Sequence, residues 1–304
     1  MTISPASAAN PVALAARALR QAVFAASVLA DLDLRPANLG LTLTGGAPVW
    51  VPWGEVRSAL AGHPAASPLA RARLADHLTA RRWAADLGPG ALADRVRLLG
   101  LPTGHALHPG PQWTRRRVLG GALDLGLGAV GLDPAHPDRV VALPTAALLG
   151  LGLTDVAPLA SGDAAAAGAE LVAQARARLE VWGALAAERA RRDPLGVLRP
   201  CGDADVVTLL GSRSLRAGLA GDAGGLATAV VPTRRRGWTR LSPIDPAFGP
   251  CAAAATPAGE RGFVRPLLIT ADEVLLVAAG GRAGDLPLRD PLAVDRSPRA
   301  VRFR

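Results

Sequence analysis

Lysine and tyrosine are absent from this 304-residue chain, methionine occurs once, and aromatic residues make up only 3% of it. All 34 basic residues are therefore arginine. Arginine in place of lysine, with alanine, glycine, proline and leucine filling neutral positions, is the mark of a GC-rich genome. It gives an arginine-rich protein with a pI near 11.3 whatever the function. With so few aromatic side chains, the core has to be built from Leu, Val and Ala, which bury less area per residue.

Cysteine is scarce as well. Cys201 and Cys251 form no C-x-x-C pair and no metal-ligand spacing, so two free thiols in a reducing compartment, and no metal, are expected. No basic leader precedes an apolar stretch near the amino terminus, where Arg17 and Arg20 interrupt the hydrophobic pattern. The longest apolar runs, Leu119–Leu132 and Val140–Leu153, contain Asp124 and Pro144 and fall short of the roughly 20 residues that span a bilayer. These absences lead to the expectation of a soluble, cytoplasmic protein without membrane insertion.

A concentrated basic surface is also lacking. Residues 1–200 carry 20 Arg against 15 acidic residues, and residues 201–304 carry 14 against 10, so the net charge of +9 is spread along the chain. Phosphate backbones are held by gathered basic charge, which makes nucleic acid a poor candidate partner.

What is present is a folding composition, 50% hydrophobic and 19% charged. Asn10-Pro11 and the spacing of Leu14, Ala18, Ala22, Ala25 and Leu29 predict a helix over 11–31. Alternation at Leu39, Leu41, Leu43 and again at Val49, Val51, Trp53, around Gly45-Gly46, predicts a β-hairpin. Ser67-Pro68 opens a further helix that Gly88-Pro89 closes, with Leu74, Leu78 and Ala85 on one side and Arg73, His77 and Arg81 on another. Gly and Pro recur through 100–140, where Trp113–Leu125 reads as helical. The strongest helical pattern covers 163–192, with Trp182 as a core anchor, a Glu188–Arg192 pair and a stop at Asp193-Pro194. Beyond the Gly-rich 218–225, the pattern turns extended at Leu226–Pro232 and at Arg265–Ile269 and Glu273–Ala278 about a tight turn. The expected fold is α+β: a helix-rich portion with a β-hairpin over 1–200, a smaller antiparallel-sheet portion over 201–280, and a Pro/Arg-rich, flexible tail over 281–304.

Two segments join arginines to an indole, Trp113-Thr-Arg115-Arg116-Arg117 and Arg234-Arg235-Arg236-Gly-Trp238. Guanidinium forks hold phosphates or carboxylates bidentately, and an adjacent ring can stack on a ligand. The plainer reading of such runs is solubility at element ends and protection of edge strands. His105 and His108 lie beside Pro109 with no third ligand nearby, so they do not read as a metal site. The run Gly104-His-Ala-Leu-His-Pro109 resembles the nucleotide-binding histidine segment of the siderophore synthetases, though Gln112 stands where that family has a basic residue, and no function is carried over from it. Asp245 sits between Pro243 and Pro246 on a loop that could present a carboxylate or merely turn a sheet corner. Gly126-Leu-Gly128-Ala-Val-Gly131 has dinucleotide-binding spacing, but Asp133-Pro134 follows where the phosphate-binding helix belongs.

The leading expectation is a binding or regulatory protein that engages an acidic protein or an anionic ligand through Arg115, Arg116, Arg117, Arg234, Arg235, Arg236 and Trp238. The alternative is an enzyme of unidentified chemistry with a site near His105, His108 and Asp245. The residues name no cofactor.

Overall fold

The computed structural model describes residues 11–110, 113, 115–132, 137–145, 166–240 and 248–277. The expected tail, the first ten residues and the Asp245 loop lie outside the described residues.

Helix α1 (Pro11–Leu29) starts at the proline the sequence marks and buries Leu19, Ala22, Val23 and Ala26. A three-stranded antiparallel sheet follows, made of β1 (Leu34–Pro36), β2 (Gly40–Leu43) and β3 (Val49–Pro52). The predicted hairpin is its second half, with Leu41 opposite Val51 and Leu43 opposite Val49. Trp53 turns out to begin a short helix, α2 (Trp53–Ala59), rather than to end a strand. Helix α3 (Pro68–Arg95) is capped by Ser67, whose hydroxyl accepts from Ala70 N–H at 3.1 Å. It runs through Gly88-Pro89 instead of stopping there, although an interior proline removes one amide donor and crowds the preceding turn. Side chains of α1, β2, β3, α2 and α3 form one apolar cluster.

The segment predicted as helical at Trp113–Leu125 is instead an antiparallel hairpin. Strand β5 (Arg115–Val118) and strand β6 (Leu123–Ala129) are joined by residues 119–122, in which Leu119, Gly120 and Gly121 have φ of 57°, 61° and 88°. Consecutive positive φ values are incompatible with a right-handed helix and favour glycine. Strand β4 (Val96–Pro102) pairs with β6 along its length, and β7 (Val141–Ala142) pairs with its far end. Gly126 and Gly128 thus lie inside a strand, and a Cβ on Gly128 would stand 2.8 Å from Val141 O. The glycine spacing serves close strand packing, not a pyrophosphate.

Helix α4 (Ala166–Arg192) carries the predicted pair, Arg192 Nη2 to Glu188 Oε1 at 2.8 Å, and Trp182 packs against the core. After β8 (Val197–Leu198) come α5 (Val206–Leu209) and α6 (Arg213–Asp222). Glu180 of α4 caps α6, accepting from Ser212 Oγ and from the amides of Arg213 and Ser214 at 2.8–3.0 Å. Burial alone would raise its pKa, but these donors outweigh it and hold the carboxyl below its usual range. Strands β9 (Ala227–Thr233), β10 (Arg236–Trp238), β11 (Leu267–Ile269) and β12 (Val274–Leu276) complete a five-stranded antiparallel sheet in the order β12-β11-β9-β10-β8, with α7 (Phe248–Ala255) beside β9. The fold is therefore α+β, with three antiparallel sheets. Its larger core cluster draws on residues from Ala80 to Val274.

Helix α1 is the one helix among the described residues long and apolar enough to cross a membrane by length and composition. It is also packed against α3 and leaves Val12, Leu14, Phe24 and Val28 exposed.

Candidate functional site

The stripe of Arg73, His77 and Arg81 on α3 does not face solvent: Arg73 and His77 are 6% and 8% exposed. His77 Nε2 and Arg81 Nε meet the same carboxylate oxygen of Glu55, at 2.8 and 3.0 Å. Arg73 has no such partner. Its Nε donates to Ala59 O at 3.2 Å and its Nη1 to Ala106 O at 3.1 Å, while its buried Nη2 lacks a hydrogen-bond partner. Burial without a compensating carboxylate lowers its pKa well below the usual arginine range, to about 10. The guanidinium still carries its full charge at neutral pH.

Arg73 and His77 line a small cavity of about 50 Å³, together with Arg139, Arg234 and an apolar wall that includes Leu99 and Leu101. The cavity adjoins a wider cleft of about 650 Å³ through a shared wall of Leu99, Arg139, Val140 and Arg234. Arg139 pairs with Asp76 at 2.9 Å. Arg234 Nε donates to Asp205 Oδ2 at 2.7 Å, and Asp205 Oδ1 in turn caps α5 by accepting from Thr208 N–H at 2.7 Å. Arg139 and Arg234 are thus held in place by carboxylates, whereas Arg73 is held only by neutral carbonyls.

The loop carrying His105 and His108 links this cleft to the β5–β6 hairpin. His105 Nδ1 accepts from Leu107 N–H at 3.1 Å, which leaves the proton on Nε2, and Nε2 donates to Arg261 O at 3.1 Å. Burial above all, and then the positive charge of Arg234, lower its pKa to about 4. His108 Nδ1 accepts from Gly110 N–H at 3.0 Å, and its Nε2 faces Asp124 Oδ2 at 3.3 Å. Burial, followed by the charge of Arg115, lowers this imidazole too. In both rings the basic lone pair is taken by a backbone amide, so neither is free to act as a general base in this arrangement.

Asp124 is the hub the sequence hid as an interruption of an apolar run. It is 2% exposed, on the central strand, and meets His108, Arg115 Nε at 3.5 Å and Arg117 Nε at 3.4 Å. Arg115 and Arg117 share one face of β5 because side chains alternate along a strand, and Arg117 stands opposite Asp124 in register. Arg116 points away. The second run is divided as well: Arg234 enters the cleft, Arg235 lies on the surface 3.3 Å from Glu260, and Arg236 is exposed on β10.

The Trp113 indole is not available for stacking on a ligand. Trp113 is 2% exposed, its Nε1 donating to Leu127 O at 2.7 Å, and His108 meets its ring edge-on at 5.4 Å. Trp238 packs edge-on against Phe248, also at 5.4 Å. The structure therefore brings His105 and Arg234 together, and His108, Arg115 and Arg117 together, but does not unite the two arginine runs in one surface. Among the described residues, no group of three or more His, Cys, Asp or Glu side chains forms a metal site. The residues missed in the sequence are Arg73 and Arg139. A polar stripe that recurs every fourth residue beside an apolar one was the only signal for Arg73, and Arg139 had none.

Comparison of the chain with protein-family models, curated proteins and solved structures returns no match. The functional reading rests on the geometry of the cleft.

Proposed function

We propose that this chain is a binding protein for a small anionic ligand whose carboxylate or phosphate head seats on Arg73. Arg139 and Arg234 flank the head, and the body of the ligand occupies the wider cleft. One observation carries the reading: a guanidinium 6% exposed, with no carboxylate partner and an Nη2 without a hydrogen bond, lines a cavity that Arg139 and Arg234 also border, its one carboxylate, Asp76, being paired with Arg139. A buried charge without a counter-charge is costly, and an anion supplies what the fold leaves out. The dimensions agree. A site for one water needs only about 10–15 Å³ by the same measure, so 50 Å³ has room for an oxyanion group. The outer 650 Å³ is the size of an ordinary small-molecule site, roughly 300–1,000 Å³.

An acidic side chain of a protein partner is the other chemistry that could fill the same cavity. The reading includes a reducing, cytoplasmic compartment, which the two free cysteines favour.

The test is calorimetric titration with phosphate, acetate and citrate at constant ionic strength, on the natural chain and on Arg73→Met. Saturable binding that the variant loses supports the proposal. Equal binding by both proteins refutes it.

A further inference from the structure

A second basic cavity, of about 420 Å³, lies apart from the cleft, where the β5–β6 turn meets α4, the α5–α6 turn and the β11–β12 turn. It is bordered by Arg116, Arg117, Arg176 and Arg216, with Asp272 as the one carboxylate among its lining residues. That carboxylate is already 3.2 Å from Arg213. Arg117 leans on Asp124, whereas Arg116 and Arg176 are exposed and meet no carboxylate among the described residues.

The groove is built before any ligand arrives. Arg216 is 6% exposed and fixed twice, by Nε to Ala271 O at 3.2 Å and by Nη1 to Leu210 O at 2.8 Å. The turn opposite is set by its three positive-φ residues and by hydrogen bonds from Gly121 N–H to Val118 O and from Ala122 N–H to Leu119 O, at 3.2 and 3.1 Å. Arg216 holds one guanidinium fixed at the wall and the exposed Arg116 and Arg176 border the same concavity, so positive charge gathers there and favours a multivalent counter-ion.

We infer that this groove binds a compact, multivalent oxyanion of the pyrophosphate type, free or as part of a nucleotide. Guanidinium forks match phosphate oxygens in pairs, and a single monovalent carboxylate would leave most of the donors unused. An extended polyanion fits less well, since Asp272 borders the groove and would repel a continuing phosphate backbone. The inference stands independently of the Arg73 cleft.

Binding of inorganic pyrophosphate is measured by calorimetry at low salt on the natural chain, on Arg116→Gln/Arg176→Gln and on a control, Arg35→Gln/Arg71→Gln, which removes the same charge from exposed positions elsewhere. The natural chain and the control should bind alike, and the groove variant at least tenfold more weakly, with thermal melts showing all three folded. Competition by ATP would identify a nucleotide as a source of the group, and its absence would leave free pyrophosphate as the ligand. Absence of binding, equal binding by the two double variants, or loss of binding in Arg73→Met would overturn the inference.

Discussion

Replacing Arg73 by Met removes the charge and keeps most of the side-chain volume, so it separates the two things this residue does. A pKa held down at about 10 means that burial disfavours the charged guanidinium by roughly 3 kcal/mol. Because the folded-state value is the lower one, that cost is present at every pH below about 10 and is relieved only as pH rises through it. Against it stand the bonds to Ala59 O and Ala106 O, worth about 1.5–3 kcal/mol each when the donor is charged. The two effects nearly offset. Without ligand, Arg73→Met should therefore change stability by no more than about 3 kcal/mol, read as a shift of the urea midpoint at unchanged slope. With a bound anion the balance differs. At 100 times its dissociation constant an anion adds about 2.7 kcal/mol to the natural chain, and the variant should lose nearly all of that gain. Sulfate and phosphate also stabilise proteins by exclusion from their surface, so the decisive quantity is the difference between the two proteins in one buffer. A variant that loses more than about 5 kcal/mol in the absence of any anion would refute the reasoning, since so large a loss is the mark of a compensated buried ion.

Three further outcomes are expected. His105 is neutral in the fold and takes up a proton near pH 6.5 when unfolded, so stability is complete above that pH and declines towards pH 4, by about 2–3 kcal/mol in all; acid denaturation of His105→Asn should be flatter across this window, and an unchanged slope would count against the assignment. Gly202 has φ of 59°, and a Cβ there would overlap the Trp182 indole, so Gly202→Ala should cost about 2–4 kcal/mol in urea melts; a cost below about 1 kcal/mol would mean the indole moves freely. Cys251 is exposed and Cys201 is buried, both unpaired, so a thiol reagent should modify Cys251 in the native protein and Cys201 only on unfolding.

How far the sequence reveals the fold depends on whether the deciding force is local. Ser67 caps α3 and Glu188 pairs with Arg192 because those contacts span three or four residues, and the alternation through Leu41, Leu43, Val49 and Val51 is visible because one face of that hairpin is buried. The β5–β6 hairpin is hidden because β6 is buried throughout and shows no alternation, which leaves Gly120-Gly121 as its one local signal. Arg73 is hidden for a related reason. A stripe at positions 73, 77 and 81 looks the same whether water or protein covers it, and the carbonyls that hold Arg73 come from Ala59 and Ala106, on other elements. Asp124 is visible as an oddity, but Arg115 and Arg117 are brought to it by strand register and His108 by the loop after β4, which no local pattern encodes.

The missing lysine bears on what the high pI means. An ammonium group is a compact, strongly hydrated charge, whereas a guanidinium presents five donors in a plane and tolerates burial better. This chain uses that difference inside the fold: Arg73, Arg82 and Arg216 are 6%, 8% and 6% exposed and donate to backbone carbonyls of Ala59, Ala106, Ala47, Leu210 and Ala271. These arginines act as cross-links between elements. Others are matched by carboxylates, as Arg139 is by Asp76 and Arg234 by Asp205. Much of the net charge is thus already committed to structure, so a pI near 11.3 is a poor guide to partners. The informative cations are those that border a cavity without a carboxylate partner, Arg73 in the cleft and Arg116 and Arg176 at the groove, where the proposed anions would supply the counter-charge.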